Sequence, residues 1–201
     1  VFIELTEFLR CPLRHEGKSH VVLVPERMDG RDVIAGIVAC PECRREYPIV
    51  GGVADLQHPE ETAGVPDPAG VEDAPAAASV HALLGLDGPG GYVVLVGSAA
   101  RLAAGLAALL ERVHVVLVNA PAECARPATS SALLGGRQLP LRDAMARGVV
   151  VGSEHAVAPW VAEGARVLLR GLRIVVFAEE VEVGGLERLA SGQGMWVGRR
   201  V

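Results

Sequence analysis

Four residues carry the clearest chemistry in this chain: Cys11 in RCPLRH and the pair Cys40 and Cys43 in ACPECRREYPI, with His15 four positions after Cys11. A Cys-x-x-Cys pair on a tight turn grips one metal ion from two sides, because the turn's amides also stabilise the thiolates. Cys11 adds a third sulfur. Closing a tetrahedral site takes a fourth ligand, and the position expected from a second Cys-x-x-Cys pair holds Arg14, a cation. His15 can supply a nitrogen and complete a Cys3His set, with His20 as the weaker substitute. The competing reading is a ribbon that has lost its fourth ligand and buries its cysteines. No carboxylate stands out as a base for metal-bound water, so the expected role of zinc is structural.

A second group lies late in the chain, where SEHAVAPW follows an apolar run and brings Glu154 beside His155. At the carboxyl edge of a parallel sheet such a pair could exchange protons with a substrate. The competing reading is a solvated loop that caps the next helix, with Ser153 as N-cap and Pro159 in the first turn. No Gly-x-Ser-x-Gly elbow, Walker loop or His-Glu-x-x-His helix is present. Cys124 is a lone thiol with no histidine near it in sequence, which favours a loop or packing role.

The elements that must position these residues fall into three zones. Residues 1–56 alternate short apolar runs with charged turns and predict a small antiparallel, zinc-ribbon-like sheet built from hairpins. Residues 57–78, rich in Pro, Ala, Gly and acid, predict an extended linker. Residues 79–201 alternate strand and helix patterns, from YVVLVG through ARLAAGLAALLERV to RIVVFAEE, GGLERLAS and GMWVGRRV. That alternation predicts an α/β domain of Rossmann-like form, a mostly parallel sheet with helices on both faces.

The net charge of −5 argues against a general nucleic-acid binder. No apolar run has membrane-spanning length and no stretch reads as a signal peptide, so a cytoplasmic setting with reduced thiols is the expectation.

Two resemblances add to this reading. LTEFLRCPLRHEG followed by IVACPECRREYPIVGGVADL resembles the small zinc-ribbon family that serves as the activating subunit of tRNA, rRNA and protein methyltransferases, together with its short bacterial relatives. Cys40, Pro41, Cys43, Tyr47, Pro48, Ile49 and Gly52 fit its closing part; Arg14 departs from the opening part. The resemblance implies a module that binds partner proteins, often by extending a methyltransferase's sheet. In the later zone, GGRQLPLRDAMARGVVVGSE and WVAEGARVLLRGLRIVVFA resemble class I S-adenosylmethionine methyltransferases, at Leu139, Pro140, Asp143, Ala165, Arg166, Val167, Leu168, Gly171 and Arg173.

Carried over residue by residue, that second resemblance places Gly97, Ala99 and Asn119 where cofactor contacts would lie. Ala99 and Arg101 stand at glycine positions of the first turn, Leu95 where an acidic residue faces the methionyl end, and Asn119 where an acid accepts the ribose hydroxyls. With those acids missing, S-adenosylmethionine is not expected to bind, and side chains at 99 and 101 are expected to crowd the turn. The resulting expectation is a non-catalytic accessory or scaffold protein that acts with another protein, such as an enzyme subunit, or with further copies of itself. The alternative is an active methyltransferase with its ribbon activator fused in cis.

Overall fold

The structure is a computed structural model and describes residues 1–13, 15, 20–57 and 75–201. Among them, eleven strands form one sheet in the order β1-β2-β3-β4-β7-β6-β5-β8-β9-β11-β10.

The first four strands, β1 (Val22–Asp29), β2 (Asp32–Ala39), β3 (Glu46–Val50) and β4 (Val53–Leu56), are joined antiparallel. Gly51 and Gly52 both take positive φ and form the two-residue turn between β3 and β4, the geometry that matches the twist of paired strands. β4 then pairs in parallel with β7 (Ser130–Gly135), through Val53↔Ala132 to Leu56↔Gly135. The ribbon-like sheet and the parallel sheet are therefore one continuous structure.

The central strands are β5 (Tyr92–Val96), β6 (His114–Val118), β8 (Ala146–Val151) and β9 (Leu168–Val176). They are parallel, with β7 beside β6 and β9 beside β8. Their unbroken Val and Leu runs follow from burial on both faces. Side chains alternate across the sheet. Val94, Val96, Val116, Val118, Val149 and Val151 thus enter one cluster, and Val93, Leu95, Val115, Leu117 and Val150 enter another.

The two faces are covered differently. Helices α1 (Ala77–Leu84) and α2 (Ala103–Leu109), with the 3-10 turn Gly97–Leu102, cover the second cluster. On the other face only α3 (Ala158–Val167) is a helix of the later zone. The connections 119–129 and 136–145 form no helix; prolines at 121, 127 and 140 remove amide donors that a helix would need. The bare area is covered instead by the N-terminal 3-10 turn Ile3–Phe8, whose Leu5, with Leu9 just after it, is fully buried in the cluster that also holds Val96, Val118, Leu139 and Trp160. Burying each leucine is worth about 1.5–3 kcal/mol. Residues 1–56 thus supply a layer that the later zone lacks.

Two expectations change. The alternation implies a helix at GGLERLAS, but residues Leu186–Gly192 form β10, paired antiparallel with β11 (Met195–Arg200). Glycines at both ends and a Gly192-Gln193-Gly194 turn favour a hairpin over a helix of this length. Of the linker expected over 57–78, residues 58–74 lie outside the described residues, while Ala77 and Ala78 already belong to α1.

Candidate functional site

The structure brings Cys11, His15, Cys40 and Cys43 together. Their ligand atoms all lie within 4.8 Å of one another. Cys11 follows the N-terminal 3-10 turn. Cys40 follows β2 and opens a turn closed by bonds from the Cys40 amide to the Arg45 carbonyl and from the Arg44 amide to the Cys40 carbonyl, each 2.8 Å. The sulfurs of Cys11 and Cys43 are 3.8 Å apart, and His15 Nε2 is 3.4 Å from the Cys40 sulfur. A tetrahedral zinc with sulfur at about 2.3 Å and nitrogen at about 2.0 Å separates two sulfurs by about 3.8 Å and a sulfur from a nitrogen by about 3.5 Å. The residues fit the ion. Arg14 lies outside the described residues.

The thiols sit in unlike electrostatic surroundings. Burial pushes the Cys11 thiol up to about 12, against the Tyr47 hydroxyl and Leu13 amide, which both favour the thiolate. For Cys43 burial acts in the same sense but is outweighed by bonds from the Arg45 amide and from Cys40 and Cys11, which lower it. Several thiols crowded in a half-buried site ionise readily together only beside a cation, and a bound metal supplies one.

The second group lies where strand order reverses. The chain runs outward from β5 to β6 and β7, then returns to place β8 on the other side of β5. The carboxyl ends of β5 and β8 flank the crevice where open α/β sheets bind ligands. Gly97 follows β5 with φ +62°, and a Cβ there would collide with the Glu154 carboxylate and the His155 ring. The Ser98 amide donates to one Glu154 oxygen and the Ser98 hydroxyl to the other, each at 2.5 Å. Burial alone would raise the Glu154 carboxyl, but these bonds and one from His155 outweigh it and hold the group down to about 2. The turn after β5 therefore holds a charged carboxylate of this chain.

His155 is fully buried, with Nδ1 3.2 Å from Glu154 and its ring edge-on to Trp160 at 4.6 Å. This loop is not the solvated cap expected from sequence. Ser153–His155 is a 3-10 turn, and the residue before α3 is Val157, with no side-chain cap bond. Pro159 does sit in the first turn of α3.

Nor do side chains at 99 and 101 fill the turn. Ala99 is buried among the residues beneath α1 and α2, and Arg101 reaches outward to Glu123 at 2.7 Å. Asn119, at the end of β6, takes a left-handed φ of +53°. Its side-chain oxygen accepts from the Gly135 amide at 2.9 Å, leaving the buried Nδ2 without a protein partner among the described residues. Cys124 is a partly buried free thiol.

Several residues singled out by the second resemblance form a brace. The Arg166 guanidinium bonds both oxygens of Glu163, the Asp143 carboxylate and the carbonyls of Leu139 and Leu141. Arg10, from the N-terminal segment, joins the same acids at 3.5 and 3.6 Å. Main-chain bonds from Arg10 to Pro140 and from Arg142 to Phe8 run alongside.

No protein-family model and no curated protein matches the chain. Among solved structures it is similar to a complex between the Haloferax volcanii Trm112 methyltransferase activator and a putative methyltransferase, at 19% identity over 50% of this chain and 50% of that chain, TM-score 0.40. It is also similar to an S-adenosyl-L-methionine methyl transferase from Silicibacter pomeroyi DSS-3, at 18% identity over 62% and 88%, TM-score 0.45. A third neighbour is the antibiotic-resistance methyltransferase Kmr, at 13% identity over 64% and 94%, TM-score 0.45. The chain spans half the length of the first of these. What stands is a sheet-rich α/β chain with mostly parallel central strands, methyltransferase-like neighbours and a Cys/His cluster fit for zinc.

Proposed function

We propose that this chain is a non-catalytic scaffold, a methyltransferase-like body braced in cis by a zinc-ribbon module and working in a protein complex. The observation that carries the reading is the Glu154 carboxylate held by the Ser98 amide and hydroxyl in the first turn. An incoming cofactor would have to displace a partly buried anion and break two charge-assisted bonds, each worth roughly 1.5–3 kcal/mol. Asn119 carries no charge to offer a ribose, and one lone pair of its oxygen is already taken by the Gly135 amide.

The ribbon's role follows from its pairing. A module that extends a sheet through an edge strand has here spent that edge on β7 of its own chain. Residues 1–56 and 79–201 then fold as one unit, and a partner docks elsewhere. The outer ribbon face, with Val22, Val24 and Val50 exposed, is the surface of the right character. Reduced thiols and a cytoplasmic setting belong to the same proposal, and no helix among the described residues is long and apolar enough to cross a membrane.

The β4–β7 pairing also favours a second reading, an active S-adenosylmethionine-dependent methyltransferase activated in cis. There Glu154 would leave the turn when cofactor enters, and Gly97, Ala99 and Asn119 would line its site. Calorimetric titration of the purified chain with S-adenosylmethionine separates the two. Absence of binding at millimolar cofactor supports the scaffold; micromolar binding overturns it in favour of the enzyme.

A further inference from the structure

Two side chains beside the metal cluster are not ligands, yet each is aimed at one. Glu42 is the residue between Pro41 and Cys43, so the turn that carries two of the sulfurs also carries this carboxylate. Its Oε2 lies 3.6 Å from Nδ1 of His15, on the opposite side of the ring from Nε2, which faces the Cys40 sulfur at 3.4 Å. The Tyr47 hydroxyl, on the buried face of β3, lies 3.2 Å from the Cys11 sulfur.

We infer that Glu42 and Tyr47 are the outer-sphere positioning residues of the metal centre, Glu42 fixing His15 as an Nε2 ligand and Tyr47 donating its O–H to the Cys11 thiolate. The inference rests on the reading that the four side chains hold zinc. A neutral imidazole has one N–H and one lone pair, and the group facing one nitrogen decides which is which. A carboxylate at Nδ1 keeps the proton there and leaves the Nε2 lone pair for the ion, the arrangement by which carboxylates commonly support metal-bound histidines. Three thiolates around a dication leave the centre with a net negative charge, and a hydroxyl donated to one sulfur disperses it. Tyr47 is 2% exposed, so its O–H has few other places to go.

The test is zinc affinity, measured by competition with a chromophoric chelator on the full chain. The parent is expected to take up one zinc. Glu42→Gln is expected to bind about tenfold more weakly at the same stoichiometry, and Glu42→Ala more weakly still. Tyr47→Phe, which keeps the ring in the core, is expected to lose several-fold. Glu26→Gln, on the edge strand β1, controls for net charge and is expected to match the parent. Long-range proton–nitrogen NMR of the zinc-loaded protein should show His15 Nδ1 protonated and Nε2 bound. Parent-like affinity in both Glu42→Gln and Tyr47→Phe, an equal loss in Glu26→Gln, or coordination through Nδ1 would overturn the inference. A parent chain that takes up no zinc would overturn the metal reading beneath it.

Discussion

The Cys/His cluster and the turn after β5 are both made where loops converge, and they differ in where their polar groups point. In the cluster, three sulfurs and an imidazole nitrogen face a common centre at spacings that suit a tetrahedral ion. In the turn, the donors of Ser98 are satisfied by Glu154, a residue of the same chain. The cluster leaves its ligand atoms facing one another, whereas the turn has its donors met within the chain, and fold alone does not fix what either does.

The largest effect that would sharpen this contrast is loss of a metal ligand. Cys43→Ser should bring zinc content by elemental analysis from one per chain to nearly none and lower Tm by more than about 10 °C, because the energy of binding a structural ion is folding energy. A variant as stable as its parent would mean that the cluster is only a set of packed thiols. Next comes the layer that joins the regions. Leu9→Ala, at a fully buried position between the N-terminal segment and the parallel sheet, should cost about 2–5 kcal/mol in denaturant unfolding. It should do so in a single transition if the regions share one core; two separated transitions would divide them.

Glu154→Ala should be milder, costing roughly 1.5–3 kcal/mol through the lost charge-assisted bonds. The same variant should bind S-adenosylmethionine more tightly than the parent by calorimetry. The smallest effect concerns pH. Burial lowers His114 from its ordinary 6.5 to about 4, where it bonds Ser131 and stacks on Phe2. A histidine held neutral in the fold contributes stability that is full above 6.5 and is lost as pH falls from there through about 4. His114→Phe should flatten the stability profile across that window; an unchanged profile would show that the slope belongs to other groups.

These regions were also unequally legible in sequence. The Cys40–Cys43 pair is local, so its chemistry can be read from a few consecutive residues, and His15 could be placed beside it as a candidate. The strands were legible for a similar reason, since period-two burial on both faces leaves unbroken Val and Leu runs. The occupant of the turn was not. Ser98 and Glu154 are 56 positions apart and meet only because β8 returns beside β5, a matter of strand order that no local pattern records. Local pattern points instead to Ala99 and Arg101, next to the glycine, and leaves Glu154 between a proton-exchanging pair and a loop capped by Ser153. GGLERLAS failed for the opposite reason. Its local apolar spacing suits a helix, but pairing with β11 decides its form. Nor does any signal in residues 1–56 announce that Leu5 and Leu9 cover a face left bare by the later zone.

The measurement closest to the central claim is the titration of Glu154 itself, followed through its side-chain carboxyl carbon by NMR in the intact chain. A carboxylate held by Ser98 and His155 stays ionised down to about 2, well below its ordinary value of 4.5. Its contribution to stability is then present above about 4.5 and is lost as pH falls toward 2. Titration near 2, shifting upward in Ser98→Ala, is the result this account predicts. An ordinary value near 4.5, unmoved by that substitution, would show the turn empty of its own carboxylate and contradict it.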